Sequence, residues 1–248
     1  MQCKLCAGES RPIITGLFDD RYGYPGSFDI YQCITCGFAQ SVPELTPDEL
    51  SQLYTKYYPR KNITVTSVQQ AATFRPGLIF TIQSWLQGTR NTCHYHVQPG
   101  QRVLDIGCGD GASLLDITKA GAESYGTEYD KNVEPIAQEL GLRIFFGDLN
   151  NAPYTDQYFD VITMSQLLEH VSDPIAFIRQ AKQKLKPGGQ IILSFPNINS
   201  FNRKRCGRRW INWHVPYHIN FFTQKSIELL AKTTDLELST VRTYTPNQ

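Results

Sequence analysis

Four of the seven cysteines fall in two Cys-x-x-Cys pairs, Cys3 with Cys6 and Cys33 with Cys36. Two such pairs supply four thiolates, each pair spanning one edge of a tetrahedron, which is the donor set of a closed zinc site. Gly8 and Gly37, placed just after the pairs, let backbone N–H groups turn toward the sulfurs. A redox pair would be expected to open a helix in a βαβ pattern, and neither pair is so placed. No fifth ligand is apparent, so the expected Zn2+ is structural. A second stretch with chemistry is RVLDIGCGDG at 102–111, an apolar strand running into a turn with Gly107, Gly109 and Gly111 at alternate positions. Alternate glycines let a ligand approach the backbone, and the helix expected after them offers unpaired N–H groups and a partial positive charge.

The glycines alone also satisfy a dinucleotide fingerprint with alanine in third place. The acids decide between the two ligands. Asp105 precedes the first glycine by two residues, where a carboxylate repels a pyrophosphate but suits a ligand carrying a sulfonium and an ammonium. Glu128, at the end of the next expected strand, can accept from both hydroxyls of a ribose. The stretch 104–111 resembles the first motif of class I S-adenosylmethionine-dependent methyltransferases. The resemblance continues in order through Gly147-Asp148-Leu149, similar to that family's adenine motif, and through the run Ser165 to Val171 after the fourth strand. It implies that S-adenosylmethionine is held by Asp105, Gly107, Cys108, Gly109, Gly111, Glu128, Tyr129, Asp148, Leu149, Ser165, Gln166 and His170. The cysteine-bearing N-terminus and the Tyr54–Pro59 segment resemble extensions found in ubiquinone-type and sugar-modifying members of the group.

To position these residues the chain needs an α/β fold, a Rossmann-like doubly wound sheet, with a small N-terminal zinc ribbon and a helical cap. The expected stretches are 1–44 for the ribbon, 45–97 for the cap or lid and 98–248 for the cofactor-binding domain. Alternating residues on both sides of Cys33–Cys36 predict a hairpin, and a segment this short needs a metal staple because its own core is small. Thr46 followed by Pro47 predicts a capped helix. The polar stretch 60–73 reads as a loop, and apolar spacing over 76–86 as a helix. From residue 98 strands alternate with helices, with strands expected near 102–106, 124–127, 142–146, 158–164, 190–195 and 236–244, and a helix stop at Lys186-Pro187-Gly188-Gly189. The resembling family ends on a further antiparallel strand, for which the sequence shows no candidate.

Five cations crowd into 203–209, followed by Trp210, Trp213, His214, Tyr217 and His218. The cations read either as a solvated face or as a phosphate-binding run, and the aromatic segment as an acceptor pocket. His218 is the candidate base, with Tyr217 assisting, and His170 competes for the role. These readings lead to a methyltransferase acting on a small molecule, such as a nucleotide-linked sugar or a secondary-metabolite or cell-envelope intermediate. An RNA methyltransferase and a non-catalytic cofactor-binding protein are the alternatives. A net charge of +1 over 248 residues argues against a wholesale nucleic-acid binder. No apolar run is long enough to span a membrane, so a soluble cytoplasmic protein is expected. Oligomeric state is not legible.

Overall fold

The computed structural model describes residues 1–58, 63–74, 77, 79 and 92–243. They form two compact units interleaved along the chain, where the sequence suggests three consecutive stretches. One unit takes in Met1–Lys61, Leu168–Ala176 and Phe195–Thr245; the other takes in Asn62–Leu167, Phe177–Ser194 and Pro246–Gln248.

In the first unit, β1 (Ser10–Leu17), β2 (Phe28–Cys33) and β3 (Ala39–Val42) make an antiparallel sheet. The expected hairpin is β2 and β3, in register from Asp29 opposite Val42 to Gln32 opposite Ala39. Alternation along β2 buries Phe28 and Ile30, and these pack with Ile198, Trp213 and Phe221 from the far end of the sequence. That core is built on a fourth strand, β9 (Asn220–Phe221), which pairs antiparallel with β3. A ribbon of this size has too little apolar surface to fold on its own, and the aromatic segment supplies the rest. Thr46 caps the helix Pro47–Gln52 in a reciprocal box with Glu49, as the sequence predicts. The helix Gln224–Thr233 is capped in the same way by Thr223 and Ser226.

The second unit holds a five-stranded parallel sheet in the order β6-β5-β4-β7-β8. Its strands are β4 (Arg102–Ile106), β5 (Glu123–Glu128), β6 (Ile144–Phe146), β7 (Phe159–Ser165) and β8 (Leu185–Ser194). The order reverses at β4, giving the doubly wound, Rossmann-like arrangement expected from the sequence, and ligands in such sheets sit beyond the strand carboxyl ends at that reversal. Leu114 and Ile117 of the helix Ala112–Lys119 pack with Val103 and Val161 of the sheet.

Three local expectations are corrected. The stretch 60–73 is not all loop, because Val65–Ala71 is a helix capped by Thr64, whose hydroxyl and that of Ser67 satisfy each other's backbone N–H; this is a capping box with serine in place of the usual acid. Lys186-Pro187-Gly188-Gly189 does not precede the fifth strand but is part of it, with a break in register between Phe159 opposite Leu185 and Val161 opposite Gln190. The sixth strand over 236–244 does not form among the described residues. From Glu237 to Thr243 every residue is exposed and none enters a ladder, so no buried face holds an extended segment in register. The helix expected over 76–86 lies, apart from residues 77 and 79, outside the described residues.

Candidate functional sites

In the parallel-sheet unit the glycine turn forms where β4 ends. Gly109 has φ +57° and no atom within 4 Å of where its Cβ would stand, so the turn is open on that side and a side chain there would be strained. Glu128, one strand over, accepts the Gly109 N–H on Oε2 at 2.8 Å and the Tyr129 and Asp130 N–H groups on Oε1 at 2.7 and 3.0 Å. Asp148, after the third strand of this sheet, accepts from the Tyr129 hydroxyl at 2.7 Å and from the Asn150 N–H at 2.7 Å. The Tyr129 bond comes first among the causes that lower the Asp148 pKa. Tyr129 is 68% exposed, an aromatic face beside two fixed carboxylates. Gly109, Glu128, Tyr129 and Asp148 are thus linked by hydrogen bonds into one cradle, whose carboxylates can accept from hydroxyls and whose ring can stack on a flat group.

Other expected cofactor residues have buried or already engaged side chains. Asp105 is 3% exposed, with Oδ1 accepting from Thr163 at 2.6 Å and Oδ2 from Ser113 at 2.5 Å. Burial raises its pKa in spite of those bonds. It ties β4 to β7 and to the helix after the turn, and a bond to a cofactor ammonium would have to share its engaged oxygens. The Cys108 side chain is buried among Leu114, Ile117 and Val161, and Leu149 is also buried, so each offers backbone rather than side chain. Gln166 has a positive φ of +53° and donates to Ser194 through its backbone at 2.8 Å and its side chain at 3.1 Å. A non-glycine residue held there stores strain of the kind found at ligand sites. The Ser165 hydroxyl is buried without a partner.

In the other unit, His170, Tyr217 and His218 come together as the sequence suggests. The two imidazoles are 4.8 Å apart, edge to face. His170 Nδ1 lies 2.8 Å from the Tyr217 carbonyl and His218 Nδ1 lies 2.9 Å from the Asn212 carbonyl. A carbonyl can only accept, so Nδ1 carries the hydrogen in both rings and Nε2 keeps its lone pair. Tyr217 is packed edge-on by Tyr22 and Tyr54 and stacked on His214 at 4.8 Å. Its hydroxyl is buried without a partner, and burial pushes its pKa up, so it stays a donor at neutral pH.

The residue that sequence reasoning passed over is Glu169. It is 1% exposed, with neither carboxylate oxygen hydrogen-bonded, and one of them lies within 4.8 Å of a ring nitrogen of both His170 and His218. Burial lifts its pKa to about 7. The same burial pushes His218 down to about 3, with His170 adding to it, and lowers His170 as well. The cluster therefore holds two neutral bases around a carboxyl group that titrates near neutrality. Its three ligand atoms are also close enough to share one cation.

The four cysteines at Cys3, Cys6, Cys33 and Cys36 converge in this unit, with Sγ–Sγ distances of 3.6 Å for Cys3–Cys36 and 3.5 Å for Cys6–Cys33. Tetrahedral zinc with bonds of about 2.3 Å places its sulfurs about 3.8 Å apart, so the four thiols fit the ion, and the spacing is far too long for disulfides, whose S–S bond is about 2.0 Å. Burial would raise the Cys33 thiol, but N–H groups of Cys36 and Thr35 aimed at its sulfur outweigh that and bring it down to about 6. The set is compatible with a zinc ribbon.

Comparison with known proteins finds relatives over part of the chain. A ubiquinone biosynthesis O-methyltransferase of Cereibacter sphaeroides is 34% identical over 128 residues, 47% of this chain and 51% of that protein. One from Proteus mirabilis is 35% identical over 107 residues, 40% and 44% of the two chains. The chain thus spans about half the length of the curated relatives it matches. A solved S-adenosylmethionine-dependent methyltransferase of Thermotoga maritima, described as a possible histamine N-methyltransferase, covers 62% of this chain and 76% of its own at 22% identity and a TM-score of 0.48, too loose a likeness to add weight. The methyltransferase-domain family model matches residues 68–241, well over half of the sequence, and the chain belongs to that family.

Proposed function

We propose that the chain transfers a methyl group from S-adenosylmethionine to a hydroxyl of a small-molecule acceptor. The observation that carries the cofactor half is the linked set Gly109, Glu128, Tyr129 and Asp148 at the ends of successive parallel strands. The oxygen half rests on relatives named O-methyltransferases and on a cluster able to take up a proton. S-adenosylmethionine, when bound, supplies the electrophilic methyl. What the chain must do is hold the acceptor in line, exclude water and remove the hydroxyl proton.

His218 is the residue proposed to meet that proton at Nε2, since its Nδ1–H is spent on the Asn212 carbonyl. An imidazole held near 3 by burial is a poor final resting place for it. Glu169, poised at about 7 beside both histidines, is the carboxylate that stabilises the charged ring and, having the higher proton affinity of the two, the group on which the proton comes to rest. His170 is the competing base, and Tyr217 is proposed to assist through its unpartnered hydroxyl.

The test is transfer of labelled methyl from S-adenosylmethionine into the low-molecular-weight fraction of a cell extract, with extracted RNA in a parallel reaction. Label in base-stable small molecules, lost in Glu128→Ala, is the expected result. Label in RNA alone moves the protein to the nucleic-acid class, and label in neither leaves it a binding protein.

A further inference from the structure

The basic run 203–209 takes part in neither the cradle nor the histidine cluster. Its residues Arg203, Lys204 and Arg208 line a cleft of about 460 Å³ in the ribbon-bearing unit, together with Trp213, Ile13 and Ile14. The wall contains no carboxylate, and among the described residues none of Arg203, Lys204, Arg205, Arg208 and Arg209 is ion-paired. The chain carries +1 in all; without those five it would carry −4, so the charge is concentrated here against the trend of the molecule. Charges massed without counter-ions cost stability unless a ligand repays them.

Two of the cations are held in place. Arg208 donates from Nη1 to the Thr15 carbonyl at 2.6 Å and from Nη2 to the Gly16 carbonyl at 2.9 Å, which fixes the guanidinium plane and leaves three of its five N–H donors unused. Arg203 lies over the Trp213 ring at 5.7 Å from its centre, and the Trp213 indole N–H is itself tied to the Gly207 carbonyl at 2.9 Å. Gly207, with φ +54° and nothing within 4 Å of a would-be Cβ, keeps the rim open to a group approaching the backbone. Pre-set guanidinium planes are suited to bidentate phosphate recognition. The cleft is larger than one phosphate needs, and its apolar wall matches an organic group attached to a pair of them.

We propose that this cleft binds the diphosphate of a nucleoside-diphosphate-linked acceptor, with Arg203, Lys204 and Arg208 on the phosphates and the linked organic portion against Trp213 and Ile13. This rests on the small-molecule reading above and names the handle by which that molecule is held.

The test is titration calorimetry of the full chain with uridine diphosphate and, separately, inorganic pyrophosphate, alongside S-adenosylmethionine. Both diphosphates should bind, and Arg203→Gln with Lys204→Gln should weaken them by about 10- to 100-fold, as expected for loss of charge-assisted bonds, while S-adenosylmethionine affinity is unchanged. Lys204→Gln alone, at an exposed position, provides a variant with no packing to lose and should weaken binding by several-fold. Phe201 and Ile211 are exposed nearby in sequence, so vesicles of anionic phospholipid and a mixed RNA are run as competitors. No diphosphate binding, binding equal in wild type and variants, or a diphosphate displaced by vesicles or RNA but not by pyrophosphate overturns the assignment. Diphosphate binding without S-adenosylmethionine binding leaves the cleft in place and removes the methyltransferase reading.

Discussion

Replacing Glu169 by glutamine removes a charge that the fold accommodates badly, and the cost can be worked out. The carboxyl is buried with both oxygens unpartnered and titrates at about 7, against an ordinary 4.5. A raised carboxylate pKa means that the folded state binds the proton more tightly than the unfolded one. Stability is therefore full below about 4.5, falls as pH rises from there to about 7, and is flat above that. The full loss is about 3 kcal/mol, at about 1.4 kcal/mol per pKa unit. Glutamine has nearly the same shape and no titration, so the gap in unfolding free energy between variant and wild type should widen in the variant's favour by about 2.5 kcal/mol between about pH 5 and about pH 8. Urea unfolding of both proteins at the two pH values reads the gap directly, and effects common to both, including acid loss of any metal held by the four cysteines, cancel. The same variant should lose methyl transfer while gaining stability at the higher pH, the pattern of a group kept for function against the interest of the fold. A gap that stays constant refutes the reasoning, because Glu169 is then ionised at ordinary cost; a cation shared with His170 and His218 would produce that outcome.

Four further results are expected. Glu128→Ala should weaken S-adenosylmethionine binding by about 1 to 3 kcal/mol in titration calorimetry, since two charge-assisted bonds to a ribose go and the Gly109 N–H loses its anchor; unchanged affinity sinks the cradle. Gly109→Ala, with nothing to clash against, should cost only the left-handed strain of about 1 kcal/mol in stability but a larger share of cofactor affinity, by the same two measurements. Elemental analysis should find one zinc per chain, and Cys33→Ser should lose it without abolishing cofactor binding by the parallel-sheet unit. His218→Ala should lower kcat by about 10² to 10⁴ with cofactor affinity nearly intact; full turnover would move the proton to His170 or Glu169 directly.

The parallel sheet was legible because its signals are local. The strands β4, β6 and β7 carry short apolar runs, Glu128 closes its strand, and Asp148 lies two residues beyond the next. A pattern read along one dimension suffices where chemistry and element share a short window. The role of Asp105 was less legible for the converse reason. Its position before the glycines is read directly, but the hydroxyls that engage it come from Thr163 on the neighbouring strand and Ser113 on the following helix, and nothing near residue 105 announces them. The expected sixth strand, absent among the described residues, has a different cause. Its sequence has β-branched and apolar residues, yet strand formation depends on a ladder partner and a face to bury, and propensity does not report either.

Glu169 shows how far such a reading can go. In the sequence it is an acid between leucine and histidine, and an acid at a strand end is by default solvated. What buries it is a set of distant connections. The Glu169 carbonyl accepts the Ile219 N–H at 2.9 Å, and the Asn220 side chain donates to the Leu168 and Val171 carbonyls. Asn220 is also the residue that opposes Gln40 in the ribbon sheet. The two-residue strand β9 therefore does two things: it closes the sheet beside the cysteines, and it holds the segment that carries Glu169 and His170. Asn220→Ala should on this argument disturb both, leaving the Leu168 and Val171 carbonyls without their donor at a cost of about 1 to 3 kcal/mol and raising the exposure of Glu169. The readout is the pH profile of stability, in which the loss between acid and neutral pH should shrink as the carboxyl gains water, even though the residue replaced does not titrate.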